Sequence, residues 1–202
     1  MINVCGKCGI YRADKIIDVD KNLVICPECL LETNYDFLPL YIVCGASGTG
    51  KSTVSNYLTK INKNYVFLDM DILLTKYIEK ITDDYNDFIE TWLRLAKNIS
   101  QNNIPVVLFG AGCIPENFKN SIEKRFFRKL HYFGFVCSNE IIEKRLIERP
   151  KWRKSSNVDF IGEQVKYNNY IKNNEEIIKI EIDKKTVEEV SNELIGWFRR
   201  IN

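Results

Sequence analysis

The stretch that decides the fold is CGASGTGKST, residues 44–53, which follows the apolar run LYIV at 40–43. Gly45, Gly50, Lys51 and Ser52 stand at the spacing G-x-x-x-x-G-K-[ST] of a phosphate-binding loop. Glycines at 45, 48 and 50 let the backbone turn tightly with its N–H groups inward, an anion cradle that continues into the N-terminus of a following helix. The backbone from Gly45 through Ala46, Ser47, Gly48, Thr49, Gly50, Lys51 and Ser52 to Thr53 is therefore expected to hold the phosphates of a nucleotide. Lys51 supplies a point charge to the β- and γ-phosphates, and the Ser52 hydroxyl is the expected Mg²⁺ ligand. Such a loop identifies a nucleotide site but no particular reaction.

Outward from the loop, apolar runs of four to eight residues alternate with longer helical patterns, which predicts an α/β domain with a mostly parallel sheet. The predicted strands are LYIVC (40–44), YVFLD (65–69), PVVLFG (105–110), HYFGFVC (131–137) and IIKIEI (177–182). Five strands suffice for a doubly wound sheet. A helix is predicted over Tyr85–Asn98, with Phe88, Trp92, Leu95, Ala96 and Ile99 on its core face, and Arg94 on its polar side, turned to solvent or to an anionic acceptor. A last helix, Thr186–Phe198, aligns Val187, Val190, Leu194 and Trp197. Residues 1–35 differ in texture, being short, turn-rich and cysteine-bearing. The expected organisation is a small module at 1–35 followed by one domain at 36–202.

Composition sets outer limits. In 202 residues, a hydrophobic share of 45% and a charged share of 28% are ordinary for a soluble globular chain, and no run approaches the roughly 18 apolar residues of a membrane span. The start, MINVCGKCGI, lacks a basic segment leading into an apolar one, so the expected compartment is the cytoplasm, with no membrane partner. The formal charge of +2 predicts no nucleic-acid partner. Four thiolates around one Zn²⁺, with about two net negative charges, would bring it near zero.

Seven cysteines is a high count, and Cys5, Cys8, Cys26 and Cys29 form the pattern C-x₂-C-x₁₅₋₂₀-C-x₂-C with Gly6, Gly9 and Pro27 at the turns. This reads as a zinc-ribbon-like module, with a β-hairpin across the DVDKN turn between two metal knuckles. Four thiolates complete a tetrahedral shell, so the Zn²⁺ is expected to be structural. Cys113 has no nucleophile's partner in His131, the only histidine, which falls in a predicted strand.

No guanine-reading N-K-x-D occurs, and the D-x-x-G at 159–162 lies too far along to act as a switch element. Three further segments resemble the P-loop small-molecule and nucleotide kinases, the group of shikimate, gluconate and nucleoside monophosphate kinases, over roughly residues 39–200. LDMD (68–71) resembles the D-x-D after their second strand. CSNEIIEKRLIERPKWR (137–153) resembles their lid segment, and EIDKKTVEEVSNELIGWF (181–198) their closing strand and helix. The resemblance implies a doubly wound five-stranded parallel P-loop NTPase sheet, with arginines at the lid base meeting ATP and the transferring phosphate. Arg145 would then contact the nucleotide, and Arg149 and Arg153 would neutralise the γ-phosphoryl oxygens.

Physical chemistry gives the same residues alternatives. Asp69 and Asp71 are two apart, so in an extended chain both carboxylates face one way, toward the crevice beyond the strand ends. Asp69 would serve the magnesium shell and Asp71 the acceptor's proton, or Asp71 would merely cap a helix. Arg145, Arg149 and Arg153 could instead form an exposed face paired with Glu143 and Glu148. GAGCIPE (110–116) is expected to line an acceptor pocket.

The function expected is transfer of the γ-phosphoryl group of ATP, with Mg²⁺, to a small hydroxyl- or phosphate-bearing acceptor such as a nucleoside, nucleotide, sugar acid or antibiotic. Two other readings stay open. One is a polynucleotide 5′-hydroxyl kinase whose zinc module grips nucleic acid, with EKRFFRK and KWRKSS as basic tracks and Phe126 and Trp152 for stacking. The other is a non-catalytic NTP-dependent switch. The sequence carries no signal of oligomeric state.

Overall fold

A computed structural model describes residues 2–73, 85–153 and 155–201; Lys154 of the KWRKSS track lies outside them. Strands β1 (Ile16–Asp18) and β2 (Leu23–Ile25) pair antiparallel across the DVDKN turn, and β3 (Glu32–Asn34) adds antiparallel to β2. The hairpin is thus as expected, and the third strand is an addition.

The second sheet contains β4 (Leu40–Gly45), β5 (Val66–Asp69), β6 (Val106–Phe109), β7 (Leu130–Val136) and β8 (Ile177–Glu181). It is parallel throughout, in the order β5-β6-β4-β7-β8. All six residues of β4 are buried, because a central parallel strand is covered on both faces. Tyr41 and Val43 enter one core with α1 (Lys51–Ile61) and α6 (Val187–Arg200), which contribute Val54, Leu58, Val190, Leu194 and Phe198. Leu40, Ile42 and Cys44 enter the other with α2 (Tyr85–Ser100). Since β6 and β7 flank β4, the crevice of this doubly wound sheet opens beyond the C-terminal end of β4, where the glycine loop begins.

Further along lie the one-turn α3 (Pro115–Phe118), α4 (Asn139–Ile147) and α5 (Val158–Asn173). The D-x-x-G at 159–162 is therefore helical. Thr186 starts α6 through a capping box: its hydroxyl accepts from the Glu189 N–H at 3.2 Å, and Glu189 accepts from the Thr186 N–H at 2.7 Å. His131, near the start of β7, stacks on Tyr41 at 5.7 Å, at the opposite end of the sheet from Cys113. No described helix is long and apolar enough to cross a membrane.

Helix α2 is rotated from its expected face. Leu95 is 39% exposed, while Ile89 and Leu93 are fully buried beside Phe88, Trp92 and Ala96. The buried stripe also includes Lys97, which explains the rotation. The Lys97 ammonium donates to the Glu123 carboxylate and to Asn3 Oδ1, and lies 3.8 Å from the Phe126 ring centroid. Asn3 Nδ2 donates to Glu123 at 3.3 Å, and Arg94 Nε pairs with Glu123 at 2.9 Å. Lys97 and Glu123 are both fully buried.

Alongside, Val24, Tyr35, Phe37 and Phe126 form an apolar cluster that crosses residue 35. Two expectations change. Phe126 is buried and cannot stack on a nucleic-acid base, and Arg94 is committed to Glu123. The cysteine segment contributes Asn3, Val24 and Tyr35 to this interface.

Removing one member of a buried ion pair leaves the other charge uncompensated, typically costing about 3–5 kcal/mol. Glu123→Leu, which leaves the fully buried Lys97 ammonium with no acidic partner among the described residues, is expected to destabilise the chain strongly in urea unfolding. The double variant Lys97→Met/Glu123→Leu should recover much of that loss, and simple additivity of the two single losses would contradict the coupling.

Candidate active site

Strand β4 ends at Gly45, and the chain turns through residues 46–50 into α1. Gly48 and Gly50 have φ of +94° and +86°, where any side chain would be strained. Gly50 is the N-cap of α1 and brings no side-chain cap, and the first turn carries no acidic residue. The leading N–H groups of α1 and its positive dipole end are thus left for an anion.

Lys51 folds back over the loop, donating to Gly45 O at 2.6 Å and Ala46 O at 3.1 Å. Burial lowers its pKa, and the Asp71 and Asp69 carboxylates partly offset that. Thr49 ties the turn through its hydroxyl to Ala46 O at 2.8 Å.

Asp69, the last residue of β5, accepts from Ser52 Oγ at 2.7 Å and from the Asp71 N–H at 3.1 Å. Asp69 thus accepts at the start of the short 3₁₀ turn Met70–Leu73. The Asp71 side chain reaches solvent, yet partial desolvation by the surrounding atoms, and then the Asp69 charge, push its carboxyl up, with Lys51 opposing. Ser52, Asp69, Lys51 and Asp71 thus form one electrostatic group at the mouth of the crevice.

Helix α5 adds contacts that the sequence reading missed. The Ser47 N–H donates to Gln164 Oε1 at 2.7 Å, and the Tyr167 hydroxyl donates to Ala111 O in the 110–116 segment. Asn168, fully buried, clasps the Cys137 N–H and C=O at 3.3 and 2.8 Å. Gln164, Tyr167, Asn168 and Ile171 recur at helical spacing, so polar groups at core positions were the available signal. In the same loop, Asn117 Nδ2 donates to Gly112 O at 2.8 Å, and the Tyr85 hydroxyl abuts Gly112. Cys113 packs on Met70, and burial raises its thiol.

On α4, Arg145 donates to Gly48 O at 3.1 Å. It borders a cavity of about 260 Å³ with Thr49, Thr53, Lys185, Thr186 and Val187. The helix ends before Pro150, as expected. Arg149 is half-buried, its pKa lowered by burial and then by Arg153. Arg153 lies 5.1 Å from the ring of Trp152, which is exposed. Among the described residues, Lys144 pairs with Glu148, whereas Arg149 and Arg153 make no ion pair.

The sulfurs of Cys5, Cys8, Cys26 and Cys29 lie within 4.8 Å of one another. Cys5–Cys29 is 3.5 Å and Cys8–Cys26 is 3.8 Å, close to the edge of about 3.8 Å that a tetrahedron with Zn–S bonds near 2.3 Å requires. The two knuckles repeat one hydrogen-bond pattern: Gly9 N–H to Cys5 O matches Leu30 N–H to Cys26 O, and Cys5 N–H to Ile10 O matches Cys26 N–H to Leu31 O. The N–H groups of Cys8 and Lys7 lower the Cys5 thiol to about 6, and that of Cys29 lowers Cys26, whereas desolvation and the neighbouring sulfurs push Cys8 up to about 11, so Cys5 and Cys26 are the readier thiolates.

No protein-family model and no curated sequence matches the chain. Solved structures do share its fold. A gluconokinase from Sinorhizobium meliloti superposes with a TM-score of 0.60 at 17% identity, over 82% of this chain and 94% of that one. A sugar kinase from Janibacter gives 0.62 at 12% over 80% and 95%. A tunicamycin resistance protein from Deinococcus radiodurans gives 0.58 at 13% over 81% and 96%. At such identities the likeness establishes architecture and leaves chemistry to the site. The chain has the α/β fold of the P-loop kinases, with an N-terminal Cys₄ segment of zinc-ribbon type.

Proposed function

We propose that the protein is a cytoplasmic ATP- and Mg²⁺-dependent phosphotransferase acting on a small acceptor. The observation that carries this is the contact of Ser52 with Asp69 beside Lys51, at the N-terminus of α1, which has no side-chain cap. Ser52 and Asp69 would hold Mg²⁺, which would supply charge neutralisation for the phosphate oxygens. Lys51 exchanges its carbonyl partners for the β- and γ-phosphates. Arg149 and Arg153, two neighbouring cations without acidic partners among the described residues, meet the charge on the transferring group. Arg145 and the 185–187 segment border the cavity suited to the nucleoside end.

In the transfer itself, an acceptor oxygen forms the new P–O bond while the bridging bond between β- and γ-phosphates breaks, its electron pair leaving with ADP. The proton of a hydroxyl acceptor passes to the Asp71 carboxylate, whose raised pKa suits a proton acceptor. We assign Zn²⁺ a structural role at Cys5, Cys8, Cys26 and Cys29, since four thiolates leave no open position, and place the boundary between the two units near residue 35.

Lys51→Ala is expected to lower kcat by about 10²–10³-fold, in line with loss of one preorganised transition-state group, with far-ultraviolet circular dichroism unchanged. Near-parental ADP release would remove the kinase reading. Asp69→Asn should shift the Mg²⁺ dependence, whereas Asp71→Asn should depress transfer to an alcohol and leave ATP and metal affinity intact. A raised pKa means that the Asp71 carboxyl binds its proton at higher pH than an ordinary Asp. The acid limb of kcat should therefore lie at higher pH than an ordinary Asp would give and vanish in Asp71→Asn; reversed metal and pH effects would exchange the two roles.

Metal analysis of protein purified under reducing conditions should find one zinc per chain. Cys26→Ser should lose it and lower the unfolding midpoint of the whole chain through the Asn3–Lys97–Glu123 interface. An unchanged midpoint would detach the metal from that interface.

A further inference from the structure

The three-stranded sheet of the cysteine segment places a buried cation beside its own metal ligands. Ile17 of β1 and Val24 of β2 are partners in the pairing register and face the apolar cluster beneath the sheet. Side chains alternate along a strand, so Lys15 and Cys26, two residues further along each chain, belong to that same inner face. Burial agrees, since Lys15 is 2% exposed and Cys26 3%, whereas Ile16 is 48% exposed. A cavity of about 750 Å³ between this face and the end of α2 has Lys15, Cys5 and Cys26 in its wall.

The Lys15 ammonium is buried and has no hydrogen-bond partner among the described residues. The acids near it in sequence are engaged or turned away. Arg12 pairs with Asp14 and Glu28, and Lys21 with Asp18. Glu32 is exposed on the outer face, because its neighbour Thr33 is the register partner of Val24. Across the cavity, Asn98 and Gln101 offer only neutral amides. A buried ammonium without an opposite charge is strongly disfavoured. Four thiolates around one Zn²⁺ carry about two net negative charges, and such a cluster would supply the missing counter-charge.

Resting on the zinc assignment, we infer that Lys15 is a positioning residue of the metal site, whose ammonium offsets part of the negative charge of the four thiolates and so strengthens zinc binding. In the metal-free chain, thiols that take up protons no longer balance that ammonium, and its burial becomes a cost.

The test uses the full chain under reducing conditions. Zinc affinity is read by competition with a chelator of known affinity, and stability by urea unfolding of the zinc-loaded and metal-stripped forms. Lys15→Met and Lys15→Gln keep most of the side-chain stem and remove the charge. Each should weaken zinc binding by about 10–100-fold, the usual effect of losing a partner just outside the metal ligands. Neither should lower the unfolding midpoint of the metal-stripped chain. Lys15→Arg, which keeps the charge, should bind zinc more tightly than either neutral variant. Unchanged zinc affinity in both neutral variants overturns the inference, as does an arginine variant that loses as much affinity as they do. Equal falls in the zinc-loaded and metal-stripped midpoints would also overturn it, because they mark a packing role alone. A parent chain that takes up no zinc would remove the metal assignment itself.

Discussion

The Lys51 ammonium, resting on the carbonyls of Gly45 and Ala46, is the interaction around which the molecule is arranged. A cation held against backbone carbonyls under partial burial is poised, because its solvation is incomplete and an entering phosphate is a stronger partner than a neutral carbonyl. Holding it there requires a loop whose φ values are positive at Gly48 and Gly50. That loop in turn needs a strand that cannot shift and a helix whose first turn is uncapped. Strand β4, buried along its whole length between β6 and β7, supplies the first condition, and α1 the second.

A second constraint acts from the cysteine segment. A buried Lys–Glu pair seldom adds net stability over an apolar substitute, but it penalises every arrangement that leaves either charge unpaired. Lys97 lies on the buried stripe of α2 and Glu123 on a 3₁₀ turn, and Asn3 arrives from beside the first cysteine knuckle. Only one rotation of α2 satisfies all three. The same rotation carries Tyr85, at the other end of that helix, against Gly112. The cysteine segment and the 110–116 segment are thus joined through one helix.

Much of this was legible in the sequence where local chemistry has few solutions. The glycine loop, the doubly covered strands and the cysteine spacing each follow from a short pattern. Apolar periodicity misled at α2, because it assigns lysine to solvent and cannot foresee that Glu123, some 26 residues later, makes Lys97 a core residue. Strand β3 was invisible for a related reason: Glu32, Thr33 and Asn34 are all exposed and have no apolar face to alternate. Gln164 and Tyr167 reach the loop and the crevice across more than fifty residues, so only the packed α5 reveals them. For Asp71 the sequence offered either an acceptor-facing carboxylate or a helix cap; its N–H donates to Asp69.

The most direct measurement of the central claim is a crystal structure with Mg²⁺ and a non-hydrolysable ATP analogue. The account predicts that Lys51 leaves the Gly45 and Ala46 carbonyls for the β- and γ-phosphates, that the Ser47 N–H exchanges Gln164 for a phosphate oxygen, and that the metal lies between Ser52 and Asp69. An analogue bound away from the loop, or one bound there with Lys51 still on its carbonyls and no metal at Ser52, would contradict it.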